Sequence, residues 1–156
     1  MLKSAYFDAT GAYRYLLHRE WDAHRPFVTF VMLNPSTADG HHDDPTIRKC
    51  IKIAQHNGFG ALKVVNLYAY KATDPRHLQQ APDAVGPYND QTIITNTCNN
   101  VTVAAWGNHA DPQRALHVWQ IIPSRPVFCV GVNQSGQPQH PLYAKVADLK
   151  PWAPPA

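Results

Sequence analysis

The sequence predicts an α/β domain: three layers, α/β/α, around a central, mainly parallel four-stranded sheet, preceded by an N-terminal β-hairpin. Three observations lead there. Four short apolar runs of strand length recur along the chain, at residues 27–33 (FVTFVML), 62–67 (LKVVNL), 101–106 (VTVAAW) and 127–130 (VFCV). Apolar runs without polar alternation are what a sheet covered on both faces requires. Between them lie segments with helical periodicity, and strands alternating with helices specify parallel βαβ units. The length of 156 residues with 44% apolar content suits one domain spanning residues 1–156 and excludes a disordered chain.

The elements follow in order. In YRYLLH, Tyr13, Tyr15 and Leu17 alternate on one face after the turn material DATG, which predicts a hairpin over about residues 5–19. The first apolar strand stops at Asn34-Pro35-Ser36. Asp44 and Pro45 then stand where an N-cap and a first helical residue belong, and Ile47, Cys50, Ile51 and Ala54 follow at i, i+3, i+4 and i+7. This helix, 46–57, closes at Asn57-Gly58. A second helix is expected over about residues 88–98. Ala115, Val118, Trp119 and Ile122 mark a third after Pro112, and the tail, about residues 150–156 and ending PWAPPA, is expected to fray.

Composition narrows the function classes. No apolar run reaches the roughly 18 residues that span a bilayer, and the first ten residues lack the apolar stretch of a signal peptide, so a soluble, cytoplasmic protein with no membrane partner is expected. Cys50, Cys98 and Cys129 are odd in number and sit in apolar surroundings, which predicts small buried thiols rather than disulfides or a zinc site. A net charge of +3 is compatible with a polyanionic ligand and too mild to demand one. No cofactor and no obligate protein partner are indicated.

In open parallel sheets ligands bind outside the carboxyl ends of the strands. That rule selects Asn34-Pro35-Ser36, Asn66 with the loop through Tyr68 and Lys71, Trp106 with its neighbours, and the loop containing His140, Pro141 and Leu142. Asn34, Asn66 and His140 would meet at one rim. Each has an ordinary alternative, loop capping for the amides and solvation for the imidazole, although Pro138 and Pro141 stiffen the backbone around His140. Lys71, Arg76 and Arg48 are candidate phosphate contacts, while Tyr68, Tyr70 and Trp106 are candidate stacking faces or simply packed aromatics. His41, His42, Asp43 and Asp44 within DGHHDD are metal-ligand types without a defined metal spacing, so capping by Asp44 and solvation explain them as well.

Taken together, four motifs resemble a known superfamily. MLNPSTAD is similar to the first motif of the uracil-DNA glycosylases, particularly the mismatch-specific branch. VVNLYAYKATDP resembles their next strand with its terminal Asn, VAAWGNHA their third strand, and QPQHPLY their closing His-Pro loop. More closely, MLNPSTAD, DDPTIRKC, VVNLYAYKATDP and GQPQHPLY resemble domain-of-unknown-function family 1643 over about residues 13–143.

The superfamily resemblance implies a glycosylase-like fold in which Asn34 positions the attacking water, Asn66 reads the base edge and His140 donates to the base oxygen as the glycosidic bond breaks. Pro35, Ser36, Tyr68, Lys71, Trp106, Pro141 and Leu142 would then border the substrate. The closing loop lacks the serine that grips backbone phosphate, the acidic DGHHDD follows motif one, and no cysteine quartet for an iron–sulfur cluster is present. The expected ligand is therefore a nucleobase-containing small molecule or single-stranded nucleic acid in preference to duplex DNA, which must be deformed to give up a base. The expected activity is hydrolysis of an N-glycosidic bond. A non-catalytic nucleotide-binding module and a metal-dependent hydrolase centred on DGHHDD are the alternatives.

Overall fold

The computed structural model describes residues 1–156. Seven strands form one mixed sheet: β1 (Leu2–Phe7), β2 (Arg14–Glu20), β3 (Phe27–Met32), β4 (Ala61–Asn66), β5 (Val101–Ala104), β6 (Val127–Cys129) and β7 (Lys150–Trp152), in the spatial order β1-β2-β4-β3-β5-β6-β7. The pairs β4–β3, β3–β5 and β5–β6 are parallel; β1–β2, β2–β4 and β6–β7 are antiparallel. Three α-helices complete the fold, α1 (Pro45–His56), α2 (Asn89–Thr97) and α3 (Pro112–Ile121), with 3-10 turns at Pro75–Gln80 and Pro141–Tyr143.

This corrects the expected sheet. It is not a four-stranded, mainly parallel sheet with a hairpin appended. The hairpin β1–β2 belongs to the main sheet, because β2 pairs along β4 from Leu17↔Val64 to Glu20↔Ala61. The tail does not fray either: β7 pairs with β6, Trp152 is buried, and its Nε1 donates to the Gly136 carbonyl at 3.0 Å. Both additions use backbone groups that a strand edge leaves unpaired, and such long-range pairing leaves no local mark on the sequence.

Strand alternation divides the core between the two faces. Val28, Phe30 and Met32 of β3 pack with Ile47, Cys50, Ile51 and Ala54 of α1, whereas Val31 lies on the opposite face with Ile93 of α2 and Ala115 and Val118 of α3. Helix α1 begins as its sequence dictates: the Asp44 side chain accepts from the Ile47 N–H at 2.8 Å and Pro45 occupies the first turn. Helix α2 is fastened to β3, since Thr29 Oγ1 donates to Asn96 O and accepts from Asn100 Nδ2. Of the cysteines, Cys50 and Cys129 are buried thiols as expected but Cys98, just past α2, is exposed. No helix is long and apolar enough to cross a membrane.

Candidate functional site

A cavity of about 720 Å³ opens where the parallel strands end, and Asn34, Asn66 and His140 all line it, with Ser36, Trp106 and Leu142. They reach it from three strand-end segments: Asn34 follows β3, Asn66 closes β4, and His140 caps the 3-10 turn before Pro141. Parallel pairing puts Met32 opposite Asn66 and Val31 opposite Ala104, so the carboxyl ends of β3, β4 and β5 finish at one level.

Asn66 is 1% exposed, and neither its Nδ2 nor its Oδ1 has a hydrogen-bond partner. Its backbone is held firmly all the same. Asn89 Nδ2 at the start of α2 donates to the carbonyls of Asn66 and Leu67, Arg114 Nε also donates to Leu67 O, and Arg114 is braced by Asp90 at 2.7 Å. Asn34 is arranged differently. Its Nδ2 donates to Pro35 O at 2.9 Å and to Ala72 O at 2.6 Å, which fixes the amide and leaves Oδ1 as its uncommitted acceptor.

At His140 the Leu142 N–H donates to Nδ1 at 3.2 Å, so the neutral ring carries its proton on Nε2. Burial pushes the imidazole below its ordinary pKa and the neighbouring His109 adds to the drop, while Asp44 opposes it. The ring is therefore a neutral donor at pH 7. Gly107, at φ +74°, lies beneath it, and a Cβ there would meet the His140 Cβ at 3.4 Å. Trp106 is buried in the wall; its Nε1 donates to Gln137 Oε1, and Trp152 packs edge-on against it at 5.3 Å.

The family described as "Protein of unknown function (DUF1643)" matches residues 14–142, from the first residue of β2 to the turn after His140. The chain belongs to that family. No curated protein and no solved structure matches it. The glycosylase likeness thus rests on the strand-end motifs alone.

Within this DUF1643 fold the other predicted residues divide. Ser36 and Leu142 border the cavity, but Pro35, Tyr68, Lys71 and Pro141 do not. Lys71 Nζ lies over the Phe7 ring at 5.3 Å, Tyr68 Oη accepts from the Asp111 N–H, and Tyr70 packs edge-on against Tyr13. Arg76 is paired with Asp74 and Arg48 donates to Asp43 O, so neither candidate phosphate contact reaches the cavity.

The DGHHDD segment is a structural clasp. Fully buried Arg19 pairs with Asp43 at 2.7 Å and donates to the carbonyls of Asp39 and His42; Lys3 also pairs with Asp43. Asp39 accepts from the His41 and His42 N–H groups, which holds its carboxyl low, at about 2. His41 and His42 are exposed, and no three His, Cys, Asp or Glu side chains anywhere in the fold are placed to share one ion. Pairing of Asp43 with Arg19 and capping by Asp44 thus account for the two carboxylates without an ion.

Sequence reasoning missed Arg14 and Asn89. Arg14 lines the cavity although it is 2% exposed. In YRYLLH it alternates with the apolar positions and so reads as the solvated face of a hairpin, while Asn89 carries no local signal because its partners lie on β4.

Proposed function

We propose that this cavity binds a nucleobase derivative and hydrolyses its N-glycosidic bond. The observation that carries the reading is the Asn66 carboxamide, buried at the cavity with donor and acceptor both unbonded. An unpaired buried polar group costs roughly 1–3 kcal/mol, so native folds rarely keep two on one side chain unless something complementary binds there. A ring edge presenting a carbonyl beside an N–H matches such an amide in two hydrogen bonds.

The rest of the rim suits the chemistry. As the glycosidic bond breaks, its electron pair goes to the base and the sugar acquires oxocarbenium character. A fixed donor at the base oxygen therefore acts mainly on the transition state, and neutral His140, with its proton on Nε2, supplies one. Asn34 Oδ1 accepts from a water, whose oxygen bonds to the anomeric carbon; the water's proton leaves to solvent and the departing base takes one up. An amide orients water without deprotonating it, so turnover is slow or the base is one that leaves easily.

The test is chromatographic detection of free base from a panel of nucleosides, nucleotides and modified single- and double-stranded DNA. Release that falls at least 100-fold in Asn34→Ala and in His140→Ala supports the reading. No base released from any substrate, with ligand binding unchanged by Asn34→Ala, ends it. Saturable binding without turnover, indifferent to loss of His140, would instead make this a base-binding module.

A further inference from the structure

Strand β2 buries two arginines, and their surroundings differ sharply. Arg19 donates from Nε to the Asp43 carboxylate and from its Nη atoms to the carbonyls of Ser4, His18, Asp39 and His42. Its planar fork is used up and its charge is matched. Arg14 donates once, from Nη1 to Ala38 O at 3.1 Å; its Nε has no partner, and it enters no ion pair. Since guanidinium offers five N–H donors, most of Arg14's hydrogen-bonding capacity is unspent. A buried cation without a counter-charge is costly to the fold. Burial draws this one down to about 10, which still leaves it charged at pH 7.

Arg14 is also the only Lys or Arg that lines the cavity with Asn34, Asn66 and His140. Asp44 is the only carboxylate there; it favours the Arg14 charge through space, but its Oδ1 accepts from the Ile47 N–H as the cap of α1 and it makes no ion pair with Arg14. At about 720 Å³ the space exceeds what one ring system fills and lies in the range of whole small-ligand sites.

We infer that Arg14 receives the phosphate of the ligand, making the molecule this cavity takes a nucleoside monophosphate in preference to a free base or nucleoside. The inference rests on the nucleobase reading above and adds the substrate class. Guanidinium binds phosphate oxygens through charge-assisted, often bidentate hydrogen bonds, which supply here the direct ion pair that Asp44, engaged as the cap of α1, does not make.

The experiment is calorimetric titration of the full chain with a nucleoside and with its 5′- and 3′-monophosphates, for bases with a ring carbonyl, alongside Arg14→Lys and Arg14→Gln. A monophosphate should bind the wild-type protein at least about tenfold more tightly than its nucleoside. Arg14→Gln should abolish that preference, Arg14→Lys should keep part of it, and inorganic phosphate should compete with the nucleotide but not with the nucleoside. Equal affinity for nucleoside and monophosphates overturns the Arg14 assignment while leaving the base reading standing. Binding of neither overturns the base reading and this inference with it. If Arg14→Gln does not fold, the wild-type comparison and the phosphate competition decide alone. Tighter binding of a single-stranded oligonucleotide than of either monophosphate would overturn the mononucleotide assignment in favour of a chain phosphate.

Discussion

Replacing Asn66 with leucine separates a structural amide from a recognition amide, because the two predict opposite signs for stability. Both polar atoms of Asn66 are buried and unbonded, so the folded chain carries their desolvation without return. An apolar side chain of similar length removes that cost, and the adjoining cavity takes up the extra methyl volume. The expected gain is about 1–3 kcal/mol in unfolding free energy. At roughly 2–4 °C per kcal/mol for a chain of this size, Tm rises by about 2–12 °C. Ligand binding moves the other way: two lost hydrogen bonds of about 1 kcal/mol each weaken affinity by roughly 10- to 100-fold. Urea denaturation gives the first quantity and calorimetric titration the second. A stabilised variant that binds more weakly is the expected outcome, a trade of stability against function. A loss of more than about 2 kcal/mol with an unchanged m-value would mean that the amide holds the fold together, and the recognition argument would fail.

Three further outcomes are expected. Because burial lowers the His140 pKa below 6.5, the unfolded chain binds the proton first, so this contribution to stability is complete above about pH 6.5 and declines as pH falls towards the folded value, readable by denaturation at several pH values and absent from His140→Gln. Asp43→Ala should cost roughly 1.5–3 kcal/mol in urea denaturation, the worth of a hydrogen bond to a charged group, since Arg19 keeps its carbonyl partners but loses its counter-charge. Trp152→Ala should cost about 3–5 kcal/mol, in the range for a buried aromatic, and should weaken ligand binding by loosening Trp106; binding that survives at full strength in the folded variant would free the tail from any part in the site.

What the sequence reveals follows from the range of each interaction. The start of α1 is legible because Asp44, Pro45 and the spacing of Ile47, Cys50, Ile51 and Ala54 are local. The meeting of Asn34, Asn66 and His140 at one cavity is legible because parallel strands carry their ends to a common edge. Strand β7 was hidden by its own composition: Pro151 and the prolines after Trp152 read as a loose end, yet at a sheet edge a proline lacks only a donor that the outer side does not use. Lys71 reads as a phosphate contact by its place in the loop, and only the fold shows Phe7 beneath it. Period-two alternation puts Arg14 and Arg19 on opposite faces of one strand but does not tell which of them is paired; that rests on a carboxylate 24 residues beyond Arg19.

The withheld hydrogen bonds carry more information about the ligand than the ones that are made. Asn34 shows that loop capping and recognition are not exclusive, for its amide nitrogen is spent on Pro35 and Ala72 while its oxygen stays free. Asn66 admits no capping role, since Asn89 satisfies its backbone carbonyl and its side chain has no partner. On the proposed reading, one free donor–acceptor pair, one free acceptor, one neutral donor and one underused cation are the complement of a molecule with an amide-like ring edge and an anionic group. The neutral donor decides one further point. With Leu142 occupying Nδ1, neutral His140 keeps a proton and no lone pair on Nε2, so the proposed ligand would place a ring carbonyl there, whereas an exocyclic amine would set donor against donor.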